Sequence, residues 1–178
     1  MKKLLIVLLL LPLFVQGQIR NIVAKYPIDE PSVANLNDGI RGAWKFKEDT
    51  NKNNYYEIIR GNPYAEDRYH IKFWDRGGTN PTYESNLHFS KIGNTLFINV
   101  PYFELAVNVP STEDHFAHQG FFFLKVLDVN ADFTKMTVAA VHDTTLWNLD
   151  QAGVTKRITK NVNNPAYYSA PIHLYKVK

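Results

Sequence analysis

The fold is decided by residues 38–49, which read Asp-Gly-Ile-Arg-Gly-Ala-Trp-Lys-Phe-Lys-Glu-Asp. Two sets of positions alternate in this stretch, and three of the four residues in the second set are charged: Ile40, Gly42, Trp44 and Phe46 against Arg41, Ala43, Lys45 and Lys47. Alternation of period two predicts a β-strand that buries one face and exposes the other. We therefore expect the other strands of the domain to lie beside this one.

Further segments downstream show strand patterns separated by turn-forming residues. They cover residues 55–60, 68–74, 83–89, 96–103, 120–129, 133–142 and 172–177. Their spacing is typical of a sandwich or a barrel. Because the last segment can pair with the first and close the sheet, we predict a mainly β fold, a single antiparallel eight-stranded barrel. Pro101 indicates an edge, a bulge or a strand end within residues 96–103.

Residues 144–160 break this β pattern and predict a helix before the closing strand. Their apolar residues recur at roughly helical spacing, at Leu146, Leu149, Val154 and Ile158. Asp143 or Thr144 is placed to cap such a helix at its start. Gly153 leaves open two shorter helices in place of one. We expect this segment to pack on the outside of the barrel.

The chain begins with a segment that has the features of an export signal. Lys2 and Lys3 precede an apolar run over residues 4–15, and the small residue Gly17 follows it. This order predicts a signal peptide at residues 1–17. An uncleaved membrane anchor is the rival interpretation, but a membrane span needs about 20 apolar residues, more than this run offers.

The rest of the chain is expected to be one exported domain, periplasmic or secreted. Residues 18–37 form an N-terminal arm, and residues 38–178 form the barrel domain. The sequence contains no cysteine, so it offers neither a lipid-bearing Cys nor a disulfide. The chain carries a net charge of +3, and loss of Lys2 and Lys3 leaves 18 basic against 17 acidic residues. That balance does not favour a nucleic-acid partner, which calls for a clustered basic face.

The motif Gly42-Ala43-Trp44 at the start of the first strand, after an export signal, resembles the lipocalin-like branch of the calycin superfamily. A late helix before the closing strand adds to the resemblance. It implies a single barrel that holds a small apolar molecule, with Trp44 plugging the closed end. In lipocalins an Arg near the end of the last strand packs over this Trp. The last strand here has no Arg, so Lys176, or Arg157 from the helix, would take that place; the Thr-Asp-Tyr type turn of the family is also missing.

The barrel interpretation selects candidate residues for an interior site. Gly42 and Trp44 are expected to form the structural floor of the barrel. Alternation points a mostly aromatic set inward, in which Tyr hydroxyls could act as polar handles in an apolar site: Tyr56, Ile58, Tyr69, Ile71, Phe73, Phe97, Phe122 and Leu124. The ligand-binding prediction rests on Tyr56, Tyr69, Phe73, Phe97, Phe122 and Leu124 of this set. The alternative is that these side chains simply fill a small barrel.

Metal and catalytic motifs are sparse. His115 and His118, preceded by Glu113 and Asp114, have a spacing that suits zinc on a helix, but the segment lacks a convincing helical pattern and a third ligand. Solvated loop histidines are the favoured interpretation, so neither a metal nor a cofactor is expected. The chain has no Gly-x-Ser-x-Gly elbow, phosphate-binding loop or His-Glu-x-x-His sequence. The sequence thus favours a binding protein over an enzyme, although barrels can host acid–base work on scattered residues.

The sequence therefore predicts an exported, lipocalin-like protein that binds a small apolar or aromatic molecule in its barrel. We expect no membrane span once the signal peptide is cleaved. The alternative is a secreted interaction or inhibitor module with a filled barrel, which acts through loops such as residues 104–120. The sequence leaves a protein partner undefined.

Overall fold

The computed structural model describes residues 24–28, 38–47, 54–60, 69–74, 79–81, 83–105 and 116–177. Its strands are β1 (Gly42–Phe46), β2 (Tyr55–Arg60), β3 (Tyr69–Trp74), β4 (Tyr83–Ile92), β5 (Thr95–Leu105), β6 (Phe116–Val129), β7 (Lys135–Ala140) and β8 (Ile172–Lys176). Each strand pairs with the next in antiparallel fashion, and β8 pairs with β1. The predicted closed eight-stranded antiparallel barrel is confirmed.

The pairing register decides which side chains share the inner face of the barrel. Trp44 on β1 lies opposite Tyr56 on β2, and Tyr56 lies opposite Phe73 on β3. Across the barrel, Ile98 on β5 pairs with Leu124 on β6. Because side chains alternate between the two faces of a strand, these partners and every second residue from them point inward. The alternation around Trp44 in the sequence thus indicates the inner face correctly.

The first strand is shorter than the sequence predicts. Asp38–Ile40 forms a 3₁₀ turn, and the strand begins only at Gly42. Gly42 has a φ of +124°, a conformation that residues with a Cβ atom rarely adopt. A Cβ atom at this position would also lie 2.7 Å from Cε of Lys176. Gly42 therefore turns the chain from the 3₁₀ segment into β1 and leaves room for Lys176.

Pro101 lies inside β5. For this position the sequence predicts an edge, a bulge or a strand end without deciding among the three. The ladder between β4 and β5 ends at the pair of His88 with Asn99, two residues before Pro101. On the other side Pro101 faces Phe121 of β6, and the register shifts just after it, between Tyr102 and Phe103. Pro101 thus combines two of the expected features, because it follows the end of one ladder and adjoins an irregularity in the other.

The predicted helix before the closing strand is present but begins later than expected. Residues Leu146–Asn148 form a 3₁₀ turn, and helix α1 covers Gln151–Lys160. The cap is Asp150, whose Oδ1 accepts a hydrogen bond of 2.8 Å from the Gly153 amide. Asp143 and Thr144 are therefore not its cap. Asp143 instead accepts a 2.9 Å hydrogen bond from the Thr145 amide, which starts the preceding turn.

Two apolar clusters lie on opposite sides of the barrel wall. The inner cluster surrounds Trp44 and contains residues from every strand. The outer cluster lies between the wall and α1 and has these buried members: Ala24, Ile28, Ile92, Phe97, Phe121, Phe123, Val141, Leu146, Val154, Ile158 and Tyr167. The prediction that α1 packs on the outside of the barrel is therefore confirmed. Within the described ranges, no helix has the length and apolar character needed to cross a bilayer.

Phe97 was predicted to point into the barrel, and this orientation is wrong. It is fully buried, but in the outer cluster. Its neighbour Ile98 takes the inward position on β5. Both faces of this part of β5 are covered, so both positions carry large apolar residues and the alternation is lost.

The arm segment 24–28 is bound to the outside of the wall by its backbone. The amide and carbonyl of Ala24 form hydrogen bonds of 3.0 and 2.8 Å with the backbone of Phe121 on β6. The Ile28 amide donates to Oδ1 of Asn99 at 3.1 Å, and Ser90 Oγ donates to the Ile28 carbonyl at 3.4 Å. Asn99 also donates to Ser90 Oγ at 2.9 Å. Side chains on the barrel wall thus bind both backbone groups of residue 28.

Candidate functional site

Trp44, the residue that the sequence predicts as the floor of the barrel, is buried on β1. Its side chain is 1% exposed, and its Nε1 donates a 2.8 Å hydrogen bond to the carbonyl of Ile40 in the 3₁₀ turn. Nζ of Lys176 lies 5.3 Å from the centroid of the Trp44 ring and donates a 2.6 Å hydrogen bond to the Gly39 carbonyl. Trp44 and Lys176 therefore both bind the 3₁₀ turn, and the Lys176 ammonium also lies over the indole ring.

Lys176 is thus the cation that covers the floor tryptophan. Arg157, the other candidate from the sequence, is used elsewhere. Its Nη1 lies 3.8 Å from Oδ2 of Asp143, beside α1 on the outside of the barrel.

Inward side chains near this floor are densely packed. Those buried to within a few per cent are Ile58, Tyr69, Leu87, Phe89, Ile98, Met136, Val138 and Leu174. Tyr69 meets Phe89 edge to face, with ring centroids 5.1 Å apart. Leu96, Val126, Val129 and Phe133 pack against these residues and are partly buried.

Inward side chains toward the opposite end of the barrel are only partly buried. They are Phe46, Tyr56, Ile71, Phe73, Val100, Phe122, Leu124 and Ile172. At their centre the Tyr56 ring lies 5.2 Å from the ring of Phe46 and 4.9 Å from that of Phe73, measured between centroids. We call this set the open-end lining. The closed sheet encloses this set, and each of its members is partly exposed.

Of the residues predicted to line a ligand site, four belong to this lining: Tyr56, Phe73, Phe122 and Leu124. Tyr69 points inward but packs near the floor, and Phe97 lies outside. Phe46, Val100 and Ile172 of this lining were not among the predicted interior residues. Phe46 lies two residues after Trp44, so the same alternation could have predicted that it points inward. Pro101 directly follows Val100 and interrupts the strand pattern there.

The chemistry of the open-end lining is apolar. Among the described side chains of this set none is charged, and the polar atom that the set contributes is the hydroxyl of Tyr56. Such a surface contacts apolar and aromatic groups through dispersion and burial of area. It offers no pair of ionisable groups for acid–base chemistry.

A hydrogen-bonded cluster around the single carboxylate of Asp143 lies outside the barrel, at the start of the connection that carries α1. Oδ1 of Asp143 accepts hydrogen bonds from the Thr145 amide and from Thr145 Oγ1, at 2.9 and 2.6 Å. Oδ2 accepts a 2.9 Å hydrogen bond from the hydroxyl of Tyr167, and Arg157 lies nearby. Both oxygens of Asp143 are therefore engaged, and the arrangement joins the β7 end to α1 and to residue 167.

The surroundings of Asp143 shift two pKa values in opposite directions. Burial on its own would raise the pKa of Asp143, but the hydrogen bonds from Thr145 and Tyr167 and the charge of Arg157 outweigh it and lower this pKa. The pKa of Tyr167 is raised, first by burial and then by its hydrogen bond to the Asp143 carboxylate. The ionised carboxylate and the neutral phenol thus stabilise the same connection.

This cluster predicts a specific acid sensitivity. The pKa of Asp143 is lower in the folded than in the unfolded chain, so its contribution to stability is present above the unfolded value of about 3.9 and is lost as the pH falls through the folded value. We expect Asp143→Asn to lower the free energy of unfolding at pH 7. We also expect this free energy to decrease less steeply in the variant as the pH is lowered from 5. Urea titrations by circular dichroism at several pH values measure this slope.

Asp150→Asn is the matched control for loss of one carboxylate in the same connection, because Asn also caps helices well. An Asp143→Asn curve that runs parallel to that of the unaltered protein below pH 5 would contradict the role assigned to Asp143.

No metal-binding arrangement is found in the described part of the chain, where no three His, Asp or Glu side chains converge. His115 lies outside the described residues. The loop proposed as an interaction surface is shorter than residues 104–120, because β5 continues to Leu105 and β6 begins at Phe116. Residues 106–115 of that loop also lie outside the described part.

Comparison with known proteins finds no match for this chain among protein-family models, curated proteins or solved structures. The closed eight-stranded barrel is compatible with a calycin or lipocalin-like fold. An inference about the function of this chain therefore rests on the geometry of the barrel itself.

Proposed function

We propose that the protein is an exported, lipocalin-like carrier or sensor that binds a small apolar or aromatic molecule in the open half of its barrel. The observation that carries the proposal is the contrast between the two halves of the interior. Near Trp44 most inward side chains are buried, although Leu96, Val126, Val129 and Phe133 are only partly buried. In the open-end lining every member is only partly buried, although a closed sheet surrounds it. A concave apolar surface with few polar groups is the usual form of a small-molecule site.

The lining indicates the kind of ligand. Three adjoining rings, Phe46, Tyr56 and Phe73, present mixed edge and face orientations, which favour contact with a flat or aromatic ligand. A charged ligand would lose its hydration without gaining a partner of opposite charge among the described lining side chains. The ligand is therefore a neutral molecule or one whose charged end stays at the barrel mouth.

Export is part of the proposal and rests on the order of charged, apolar and small residues in the leader. Expression of the full chain in a bacterial host, followed by intact-mass measurement of the protein from periplasm and medium, tests it. The expected product begins at Gln18. Recovery of the full-length chain in the cytoplasm alone would contradict export and would leave the interior site untouched.

The ligand site is tested directly on the purified protein. Native mass spectrometry after detergent-free purification, with solvent extraction of the same sample, is expected to reveal a bound small molecule. After extraction, the neutral apolar dye N-phenyl-1-naphthylamine is expected to bind with increased fluorescence and to be displaced by the extract. A folded protein that yields no ligand and binds no dye would overturn the proposal and favour a filled barrel that acts through its loops.

Two adjacent tyrosines provide a matched pair of variants for this site. Tyr56 points inward, whereas Tyr55 points outward and stacks on Trp74, and both are half-buried. We expect Tyr56→Ala to weaken dye binding about tenfold, the equivalent of about 1.4 kcal/mol of lost aromatic contact. Tyr55→Ala should change it by less than about twofold, because an outward side chain touches no interior ligand. Equal losses in both variants would place the dye outside the barrel.

A further inference from the structure

The ladder between β4 and β5 joins these strands only over the part nearer the floor. It ends at the pair of His88 with Asn99. Beyond this pair, residues 83–87 of β4 continue beside β3, and residues 100–105 of β5 continue beside β6. The structure describes the backbone of all residues from 83 to 105, and within this range no further pair joins β4 to β5. We call the boundary between residues 83–87 and residues 100–105 the lateral seam.

Pro101 gives the physical reason why the ladder stops. The amide and carbonyl of Phe121, its partner on β6, form hydrogen bonds of 2.8 and 3.0 Å with the backbone of Ala24 and so point away from β5. Opposite residues in an antiparallel ladder exchange either both backbone hydrogen bonds or neither, so Pro101 also turns its backbone groups away from Phe121 and toward β4. Its nitrogen carries no hydrogen to donate there. The next hydrogen-bonded pair of the ladder, Asn86 with Pro101, would therefore lack one of its two donors.

Side-chain hydrogen bonds reinforce the ladder at the point where the lateral seam begins. Asn99 Nδ2 donates to the His88 carbonyl at 3.2 Å and to Ser90 Oγ at 2.9 Å. On the outside, the Ile28 amide donates to Oδ1 of Asn99, and Ser90 Oγ donates to the Ile28 carbonyl. These contacts bind β4, β5 and the arm together. A separation of the two strands along the seam therefore stops at this point and does not extend to the floor.

The inner side of the lateral seam adjoins the open-end lining. Val100 of this lining directly follows the last ladder residue of β5 and is half-buried, and its partner on β6, Phe122, belongs to the lining as well. Leu87 directly precedes the last ladder residue of β4 and is fully buried in the inner cluster. A molecule that passes between β4 and β5 beyond Leu87 thus arrives among the side chains of the lining.

The lateral seam is the part of the wall that two neighbouring strands can open at low cost. Where strands are paired, their separation breaks the backbone hydrogen bonds that stabilise the sheet. Along the seam, β4 and β5 share no such ladder, and each keeps its other neighbour, β3 or β6, when they separate. We propose that the ligand enters and leaves the barrel laterally, through the seam between β4 and β5. This inference rests on the proposed function and adds the route by which the ligand reaches its site.

A reversible crosslink across the lateral seam tests this route. In the register of the ladder, Glu84 and Phe103 would be opposite residues beyond its last pair, and the chain has no cysteine of its own. Glu84→Cys with Phe103→Cys is closed by the reducible reagent ethanediyl bis-methanethiosulfonate, which spans strands too far apart for a disulfide, and intact mass verifies closure. Stopped-flow fluorescence then follows binding of N-phenyl-1-naphthylamine. We expect association about tenfold slower in the closed form than in the same protein after reduction, with Kd changed less than about twofold.

Lys72→Cys with Glu84→Cys is the matched control, because it crosslinks the same position of β4 to β3, with which it is already paired. Its closure should change the association rate less than about twofold. Equal rates in the closed and reduced forms of the seam variant would overturn lateral entry and leave the interior site in place. Equal slowing by the control crosslink would also overturn it, because the effect would then be a general loss of flexibility. Absence of dye binding by the unaltered, folded protein would overturn the proposed function and the lateral route with it.

Discussion

Replacement of Trp44 by alanine is expected to lower the free energy of unfolding by about 3–5 kcal/mol. The side chain is 1% exposed and lies at the centre of the inner cluster. Its removal leaves a cavity at the floor and also leaves the Ile40 carbonyl without its 2.8 Å donor. Nζ of Lys176 loses the ring it covers. Denaturant unfolding followed by far-ultraviolet circular dichroism measures the loss.

Trp74→Ala is the control, because it removes the same type of residue from the outer face. Trp74 is half-buried, so we expect a loss of about 1 kcal/mol. Circular dichroism suits both variants since each loses one of the three tryptophan fluorophores. If the two variants are destabilised equally, Trp44 is not the structural floor of the barrel.

Asn99→Leu is expected to cost about 2–4 kcal/mol, because it leaves several buried polar groups without partners. Asn99 is fully buried on the outer face of β5. Its Oδ1 accepts from the Ile28 amide, and its Nδ2 donates to Ser90 Oγ and to the His88 carbonyl at 2.9 and 3.2 Å. Leucine has a similar size but satisfies none of these groups. Beyond global stability, we expect faster hydrogen exchange at the amides of Ala24 and Ile28.

Asn86→Leu provides the matched control for this variant. Asn86 is an exposed residue on β4, and the same substitution there should change stability by less than about 0.5 kcal/mol. Slow exchange at Ala24 and Ile28 in Asn99→Leu, with unchanged stability, would mean that the arm does not depend on Asn99.

Most of the barrel could be predicted from the sequence because alternation is a local signal. The strand at residues 55–60 has the predicted bounds, and the others differ mainly at their ends. The alternation around Trp44 predicts the inner face of β1 correctly because one face of this strand is buried in the barrel and the other faces solvent. It fails at Phe97 because α1 covers the outside of β5, and coverage by a distant segment leaves no mark on local periodicity.

Polar residues show the same limit, because their burial and their partners also depend on distant segments. Asn99 in a strand pattern reads as an outward, solvated residue, and it does point outward, yet the arm buries it completely. Asp143 and Asp150 are both suitable helix caps by residue type. Only the three-dimensional course of the connection, with Tyr167 and Arg157 turned toward Asp143, decides that Asp150 caps α1.

The unequal lengths of β6 and β7 give the arm a further role. β7 ends at Ala140, whereas β6 extends back to Phe116, so part of β6 has no neighbour from β7. Ala24 occupies this place by pairing with Phe121, and Gly120 permits the approach because a Cβ atom there would lie 2.5 Å from the Ala24 carbonyl oxygen. Without the arm, β6 would present unpaired backbone groups that can recruit a strand from another molecule. Pairing with Ala24 therefore makes the backbone groups of Phe121 unavailable for edge-to-edge pairing with another molecule.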